Sequence, residues 1–205
     1  MLQRHLDLED VDPDPVTQFT RWFVEAQEAG QPEPEAMALA TSALTSAGGT
    51  PSVRFVLLKG VDERGFAFYT NFNSRKGREV GANPLASLVF RWWVLERQVR
   101  VGGRVHMVDP EESDAYFATR PRGAQLGAWA SPQSEVLAGR EELEAQLAEV
   151  TTRFDGREVT RPAWWGGYRV EPEEVEFWQG RPDRLHDRLR YQREGRGWRI
   201  ERLSP

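Results

Sequence analysis

The chain has 205 residues, which suits one domain of ordinary size with a substantial core. It contains no cysteine, so a disulfide framework, a thiol nucleophile and Cys-ligated zinc or iron–sulfur sites are excluded, and no metal site is expected. A net charge of -5 argues against broad nucleic-acid binding; with no membrane-length apolar run and no signal-peptide core after Met1-Leu2-Gln3-Arg4-His5, the chain reads as soluble and cytoplasmic.

Residues 1–13 are polar and acidic and predict a loose arm. Asp14-Pro15 supplies an N-cap and an N1 proline, and Val16, Phe19, Phe23 and Ala26 share one face of a docking helix that Gly30 stops. After the linker Gln31-Pro32-Glu33-Pro34, Ala36 to Leu44 predicts a first strand turned by Ser46-Ala47-Gly48-Gly49. Val53 to Gly60 and the strand beginning at Phe66 predict a hairpin joined by Asp62-Glu63-Arg64-Gly65. Ser74 is placed to cap a short helix ending near Gly81-Ala82-Asn83-Pro84, which puts Arg75 and Lys76 in its first turn beside free N–H groups. Leu85 to Trp93 and Arg97 to Val108 predict two strands joined at Val94-Leu95-Glu96, with a bulge at Gly102-Gly103. Asp109-Pro110 opens a helix through Thr119, Gln125 to Ala130 predicts a helical turn, and Leu137 to Phe154 a covering helix with Leu143, Leu147 and Val150 in register. Strands follow at Tyr168 to Val170, Val175 to Gln179, Leu185 to Gln192 and Trp198 to Leu203, the last two linked by Glu194-Gly195-Arg196-Gly197. The expected class is mainly β with flanking helices, as one antiparallel sheet or barrel spanning residues 1–205.

Of the 27 Lys plus Arg, lysine stands only at Lys59 and Lys76, both in the stretch of the predicted hairpin and its following helix. A compact ammonium suits a phosphate oxygen in a tight space, the alternative being chance survival of two surface lysines. Arg184, His186 and Arg188 share a face if they lie on a strand, either as a ligand surface beside Trp178 or as a charged edge strand. Tyr116 and Arg120 lie one helical turn apart, while Gln98, Gln133 and Ser134 are weak signals singly. No Gly-x-Gly-x-x-Gly, Walker lysine loop or Gly-x-Ser-x-Gly elbow occurs, which removes the Rossmann, P-loop and α/β-hydrolase readings.

Arg54-Phe55-Val56-Leu57-Leu58-Lys59, Phe68-Tyr69-Thr70-Asn71, Ser74-Arg75-Lys76, Leu95-Glu96-Arg97-Gln98-Val99, the stretch Ser131 to Ser134, Trp164-Trp165-Gly166-Gly167, Val175-Glu176-Phe177-Trp178-Gln179-Gly180 and Arg184-Leu185-His186-Asp187-Arg188 occur in one order. Together they resemble the pyridoxine/pyridoxamine 5′-phosphate oxidase family from about Asp14 to Pro205. The resemblance implies an FMN-binding split β-barrel, a flavoprotein oxidoreductase working as a homodimer with FMN at the subunit interface. It also implies that Arg54, Phe55, Val56, Leu57, Leu58, Lys59, Tyr69, Thr70, Arg75, Lys76, Gln98, Gln133, Ser134, Trp178 and Arg188 hold FMN. Lys59, Tyr116 and Arg120 would hold the substrate phosphate, with Arg184 and His186 as catalytic residues facing the pyridine ring. The implied reaction is oxidation of pyridoxamine or pyridoxine 5′-phosphate to pyridoxal 5′-phosphate, by hydride transfer from C4′ to flavin N5, with O₂ reduced to hydrogen peroxide.

Strand alternation places Arg54 and Lys59 on opposite faces, so one ligand meets both only through a bulge or a second subunit. Two departures stand out: Ala124 replaces the family's phosphate-binding serine, and the family's lid motif, with its Arg and Tyr, has no match in Met1 to Asp12. The rival readings are a flavin oxidase for another aromatic substrate, such as a phenazine precursor, and a non-catalytic FMN-binding module.

Overall fold

The computed structural model describes residues 6–43 and 49–205. Helix α1 (Pro15–Glu28) starts as expected, with Asp14 accepting the Thr17 N–H and Pro15 at N1. Its buried face is Gln18, Phe19, Trp22 and Ala26, so the stripe is rotated toward Trp22 and leaves Val16 and Phe23 partly exposed. The stretch expected to be a loose arm is held at Leu6 and Asp12, while residues 7–10 between them are exposed. Leu6 is buried, Tyr191 donates its hydroxyl to the Asp12 carbonyl at 2.7 Å, and Arg202 donates to the Leu6 carbonyl at 2.8 Å.

Strand β1 (Ala36–Ser42) buries Met37, Leu39 and Thr41 in alternation. Its predicted end at Leu44 and the turn through Gly48 lie outside the described residues. The expected hairpin is built differently. Strand β2 (Pro51–Leu57) pairs with β1, and it is the short β3 (Gly60–Asp62) that pairs across the Asp62–Gly65 turn with β4 (Gly65–Asn71). The Leu58 N–H donates to Glu35 O on the β1 side, and the next N–H, of Lys59, donates to Ala67 O on the β4 side. One strand thus changes partner within a single residue.

Ser74 caps α2 (Arg75–Ala82) by accepting the Gly77 N–H at 3.3 Å. Strands β5 (Leu85–Trp92) and β6 (Arg97–Met107) flank a 3₁₀ turn at Trp93–Leu95 and left-handed Glu96. Where two strands were expected near the C-terminal end, β7 (Trp165–Gln179) is one strand of 15 residues. The predicted bulge is real, but its extra residue is on β7: Gly102 faces Glu174 and Gly103 faces Pro172, leaving Glu173 unmatched. A Cβ on Gly103 would lie 1.9 Å from the Glu171 carbonyl, so glycine is required there. Strand β8 (Asp187–Glu194) adds to β7 and β9 (Gly197–Arg202) to β8.

The sheet order is β2-β1-β5-β6-β7-β4-β3, and because β2 and β3 are consecutive the path closes into a ring. Inside it, Phe19 of α1 meets Phe66 edge-on at 4.8 Å and Phe90 at 4.9 Å. Each such fully buried ring contributes about 1.5–3 kcal/mol relative to exposure, so α1 is part of the barrel core. Helices α3 (Pro110–Thr119), α4 (Arg122–Ala130) and α5 (Arg140–Arg153) cover one outer side over a second core of Phe117, Leu126, Phe154, Val159 and Trp165. α4 begins earlier and α5 later than predicted, and α5 covers α4 without burying any residue of its own.

Candidate active site

The start of α2 gathers cations around one carboxylate. Arg54 lies on the inner side of β2, opposite Leu39, and donates to the Thr41 hydroxyl at 2.6 Å and to Glu79 Oε2 at 3.1 Å. Arg75 donates to Glu79 Oε1 at 2.9 Å. Glu79, with its side chain 7 % exposed, also accepts from Thr41 and Ser52. Burial pushes its carboxyl up, but hydrogen bonds from Ser52, Thr41, Arg75 and Arg54 outweigh that and hold it at about 2. Lys76 donates to Gln133 Oε1 at 2.8 Å, Thr70 Oγ1 at 3.1 Å and Ser74 Oγ at 3.3 Å. Burial, then repulsion from Arg54, lowers its ammonium to about 8 against the pull of Glu79. Three cations therefore face one carboxylate beside a helix N-terminus, a surplus that suits a dianionic phosphate. Glu79, Thr41 and Ser52 escaped the sequence reading, although Glu79 stands at i+4 from Arg75 and its ion pair was legible.

Next to this pocket, Tyr69, Tyr116 and Trp165 stack in near-parallel planes, Tyr69 and Tyr116 at 4.0 Å. Arg120 lies over the Trp165 ring at 4.5 Å, and its buried Nη1 has no hydrogen-bond partner among the described residues. Burial pushes the Tyr116 hydroxyl up and the Arg120 guanidinium down. Arg120, Ala124, Asn71, Ser131 and Gln133 line one cavity of about 270 Å³. With one guanidinium and no carboxylate among its lining residues, this cavity favours an anionic ligand. Gln133 borders both this cavity and the Lys76 pocket, while Ser134 follows in a left-handed turn (φ 74).

A second group lies on the outer face of the sheet. Register sets Gln98 beside Trp178 and Trp178 beside Arg188. Arg91, opposite Gln98, carries its guanidinium 5.2 Å from the Trp178 ring and was not foreseen. Arg188 is committed to Glu176 through Nε at 2.9 Å and Nη2 at 3.2 Å, and to Ser204 O through Nη1 at 2.8 Å, so it braces the row. The expected shared strand face of Arg184, His186 and Arg188 is not formed. β8 begins at Asp187, and Arg184 sits in a 3₁₀ turn at φ 61. His186 still reaches the row, its ring 4.5 Å from that of Trp178 and its Nδ1 accepting the Arg181 N–H at 3.1 Å.

Alternation along β2 is as expected. Arg54 and Val56 turn inward, Val53 and Phe55 are 69 % and 77 % exposed, Leu57 is also exposed, Leu58 is buried and Lys59 is exposed on the side opposite Arg54. No hydrogen bond, ion pair or ring contact among the described residues joins the Arg54–Lys76 group to the Gln98–Trp178–Arg188 row.

A closed ring whose closing strand serves both halves, with phosphate-ready cations at one helix start, defines the FMN-binding split-barrel class. The description "Pyridoxamine 5′-phosphate oxidase" matches residues 23–154, and "Pyridoxine 5′-phosphate oxidase C-terminal dimerisation region" matches residues 165–205. A pyridoxine/pyridoxamine 5′-phosphate oxidase of Rubrobacter xylanophilus is 64% identical over 194 residues, covering 95% of this chain and 88% of that one. Its counterpart in Paraburkholderia phymatum is 57% identical over 201 residues, covering 98% and 93%. Among solved structures, PhzG from Burkholderia lata 383, in complex with tetrahydrophenazine-1-carboxylic acid, superposes with TM-score 0.90 at 36% identity, covering 98% of each chain. The chain belongs to the pyridoxine/pyridoxamine 5′-phosphate oxidase family.

Proposed function

We propose that the protein is an FMN-dependent oxidase converting pyridoxamine 5′-phosphate or pyridoxine 5′-phosphate to pyridoxal 5′-phosphate, with O₂ as acceptor and hydrogen peroxide released. The observation that carries this is a pair of cationic sites: the Arg54–Arg75–Lys76 pocket, and the neighbouring cavity that Arg120 lines. A module that only stored flavin would need the first and not the second. A phenazine precursor such as the carboxylic acid bound by PhzG is an anion too, so the preference for a B6 phosphate rests on the higher identity to the Rubrobacter xylanophilus oxidase, 64% against 36% for PhzG.

The cation surplus around Glu79 fits the FMN phosphate, with Arg54, Arg75, Lys76, Thr70, Gln133 and Ser134 as its holders. The segment Phe55 to Leu58, Tyr69, Gln98, Trp178 and Arg188 would hold and brace the flavin ring. When bound, FMN supplies the two-electron oxidation at substrate C4′ and passes the electrons to O₂. Arg120, Tyr116 and Lys59 fix the substrate phosphate, and Arg184 and His186 face the ring. Because His186 Nδ1 accepts a backbone N–H, its neutral imidazole carries the proton on Nε2 and presents a donor. Oxidation of the amine substrate ends in hydrolysis that releases ammonia.

The active form is a homodimer in which the inward Arg54 group of one copy and the outer Trp178 row of the other meet the same flavin. The absence of any bond between the groups among the described residues, the exposed Phe55 and the matched dimerisation region support this. A cysteine-free chain with no described helix long and apolar enough to cross a membrane suits the cytoplasm. The test is to add each vitamin B6 phosphate to FMN-loaded protein under air and assay pyridoxal 5′-phosphate and peroxide. FMN-loaded protein that forms neither from either substrate would sink the proposal.

A further inference from the structure

Between β7 and β8 the chain passes through two consecutive left-handed residues, Asp183 (φ 57) and Arg184 (φ 61). Neither is glycine, so the turn persists only where its surroundings over-determine it. The restraint comes from Asp187, whose side chain is 15 % exposed. Its Oδ2 accepts Arg181 Nε at 2.7 Å and the Leu6 N–H at 3.3 Å, and its Oδ1 accepts Arg202 Nη1 at 3.1 Å. The carboxylate therefore ties Arg181, near the start of the loop, to the first residue of β8. The same Arg181 uses its backbone N–H to hold His186 Nδ1 at 3.1 Å, and Trp178 closes the other side of that ring. Arg202 extends the clasp to the Leu6 carbonyl and the Asp7 carboxylate, so both ends of the described chain brace it.

We propose that Asp187 is a positioning residue for His186 and Arg184, acting through Arg181 to fix the His186 ring and its Nε2–H tautomer. The inference rests on the oxidase reading for its catalytic consequence only. An ion pair that merely anchored the chain ends would stabilise the fold without setting the protonation pattern of a histidine two bonds of the network away. Asp187→Asn keeps the shape but removes the charge and turns one acceptor into a donor facing Arg181, Leu6 or Arg202.

The test uses FMN-loaded protein. Nitrogen-15 NMR of the histidine rings, assigned with His186→Gln, should show a single Nε2–H tautomer for His186 in the natural protein and a mixture in Asp187→Asn. Turnover should fall about tenfold to a hundredfold through misplacement of the ring, with KM within about twofold because the phosphate contacts are untouched. Arg181→Ala, which leaves the bonds of Asp187 to Leu6 and Arg202 intact, should reproduce both effects, and it alone decides the matter if Asp187→Asn does not fold. An unchanged tautomer in the folded variants, with or without a loss of kcat, overturns the proposal. The NMR readout needs no turnover, so a natural protein inactive on B6 phosphates would defeat the oxidase reading while the role of Asp187 was still decided.

Discussion

Replacing Lys76 with methionine should loosen the flavin by an amount the pocket allows to be worked out. Methionine keeps most of the stem that fills the half-buried site and removes the ammonium that donates to Gln133, Thr70 and Ser74. A hydrogen bond from a charged donor to phosphate contributes about 1.5–3 kcal/mol, which raises the Kd for FMN about tenfold to a hundredfold. The pH dependence is a sharper check. Lys76 in the ligand-free pocket titrates at about 8, because burial and Arg54 outweigh Glu79. A phosphate that has already lost its second proton near pH 6 requires the charged lysine. Raising the pH from 7 to 9 should therefore weaken FMN binding about tenfold in the natural protein and leave the methionine variant unaffected. Flavin fluorescence titrations at the two pH values measure both effects. Equal affinity of the natural protein at pH 7 and 9, or a methionine variant within about twofold of it at pH 7, would refute the assignment of this pocket to the phosphate.

Glu79 gives a stability prediction of known sign. Its carboxyl is lowered on folding from 4.5 to about 2, so its contribution is complete above the unfolded value and disappears as pH falls through the folded one. Urea unfolding should show a loss of roughly 3 kcal/mol between about pH 5 and pH 2 that is absent from Glu79→Gln; parallel curves for the two proteins would count against it. Ala124 lines the cavity beside Arg120, so Ala124→Ser should lower KM for pyridoxamine 5′-phosphate, at most by one to two decades, with kcat little changed. An unchanged KM in both Ala124→Ser and Arg120→Ala would move the substrate phosphate elsewhere. Phe55→Asp places a charge on an exposed apolar row and should weaken dimerisation at least about tenfold, with loss of flavin. A fully flavin-loaded dimer of this variant in sedimentation would exclude that face from the interface.

What could be read in the sequence was local. Ser74 as a cap, the Asp14-Pro15 helix start and the β5–β6 pair depend on neighbouring residues, and all three stand as expected. The partner of β2 was misread because a strand followed by a turn and a strand looks the same whether or not its first half has defected to β1. Two strands were expected where β7 is one, because the break in pattern between Val170 and Val175 is an irregularity within a continuous strand, with Glu173 unmatched. The alternation that grouped Arg184 with Arg188 failed because a strained turn, invisible to periodicity, precedes β8. Family motifs carried most of the candidate site, but Glu79, which orders its cations, lies outside them, and only its i+4 spacing from Arg75 signalled it; its bonds to Arg54, Thr41 and Ser52 join residues distant in the chain.

The change of partner at Leu58–Lys59 also sets the order in which the molecule can assemble. Each half of that strand finds its first partner nearby, β2 with β1 and β3 with β4. The ring shuts only when β7 inserts between β6 and β4, bringing Phe66 opposite Val170 from about a hundred positions away, a contact whose entropy must be met before it yields anything. During synthesis β4 and β6 therefore stand as two open edges until the chain beyond Trp165 has emerged. A nascent or truncated chain lacking that final segment is a template for pairing with other chains.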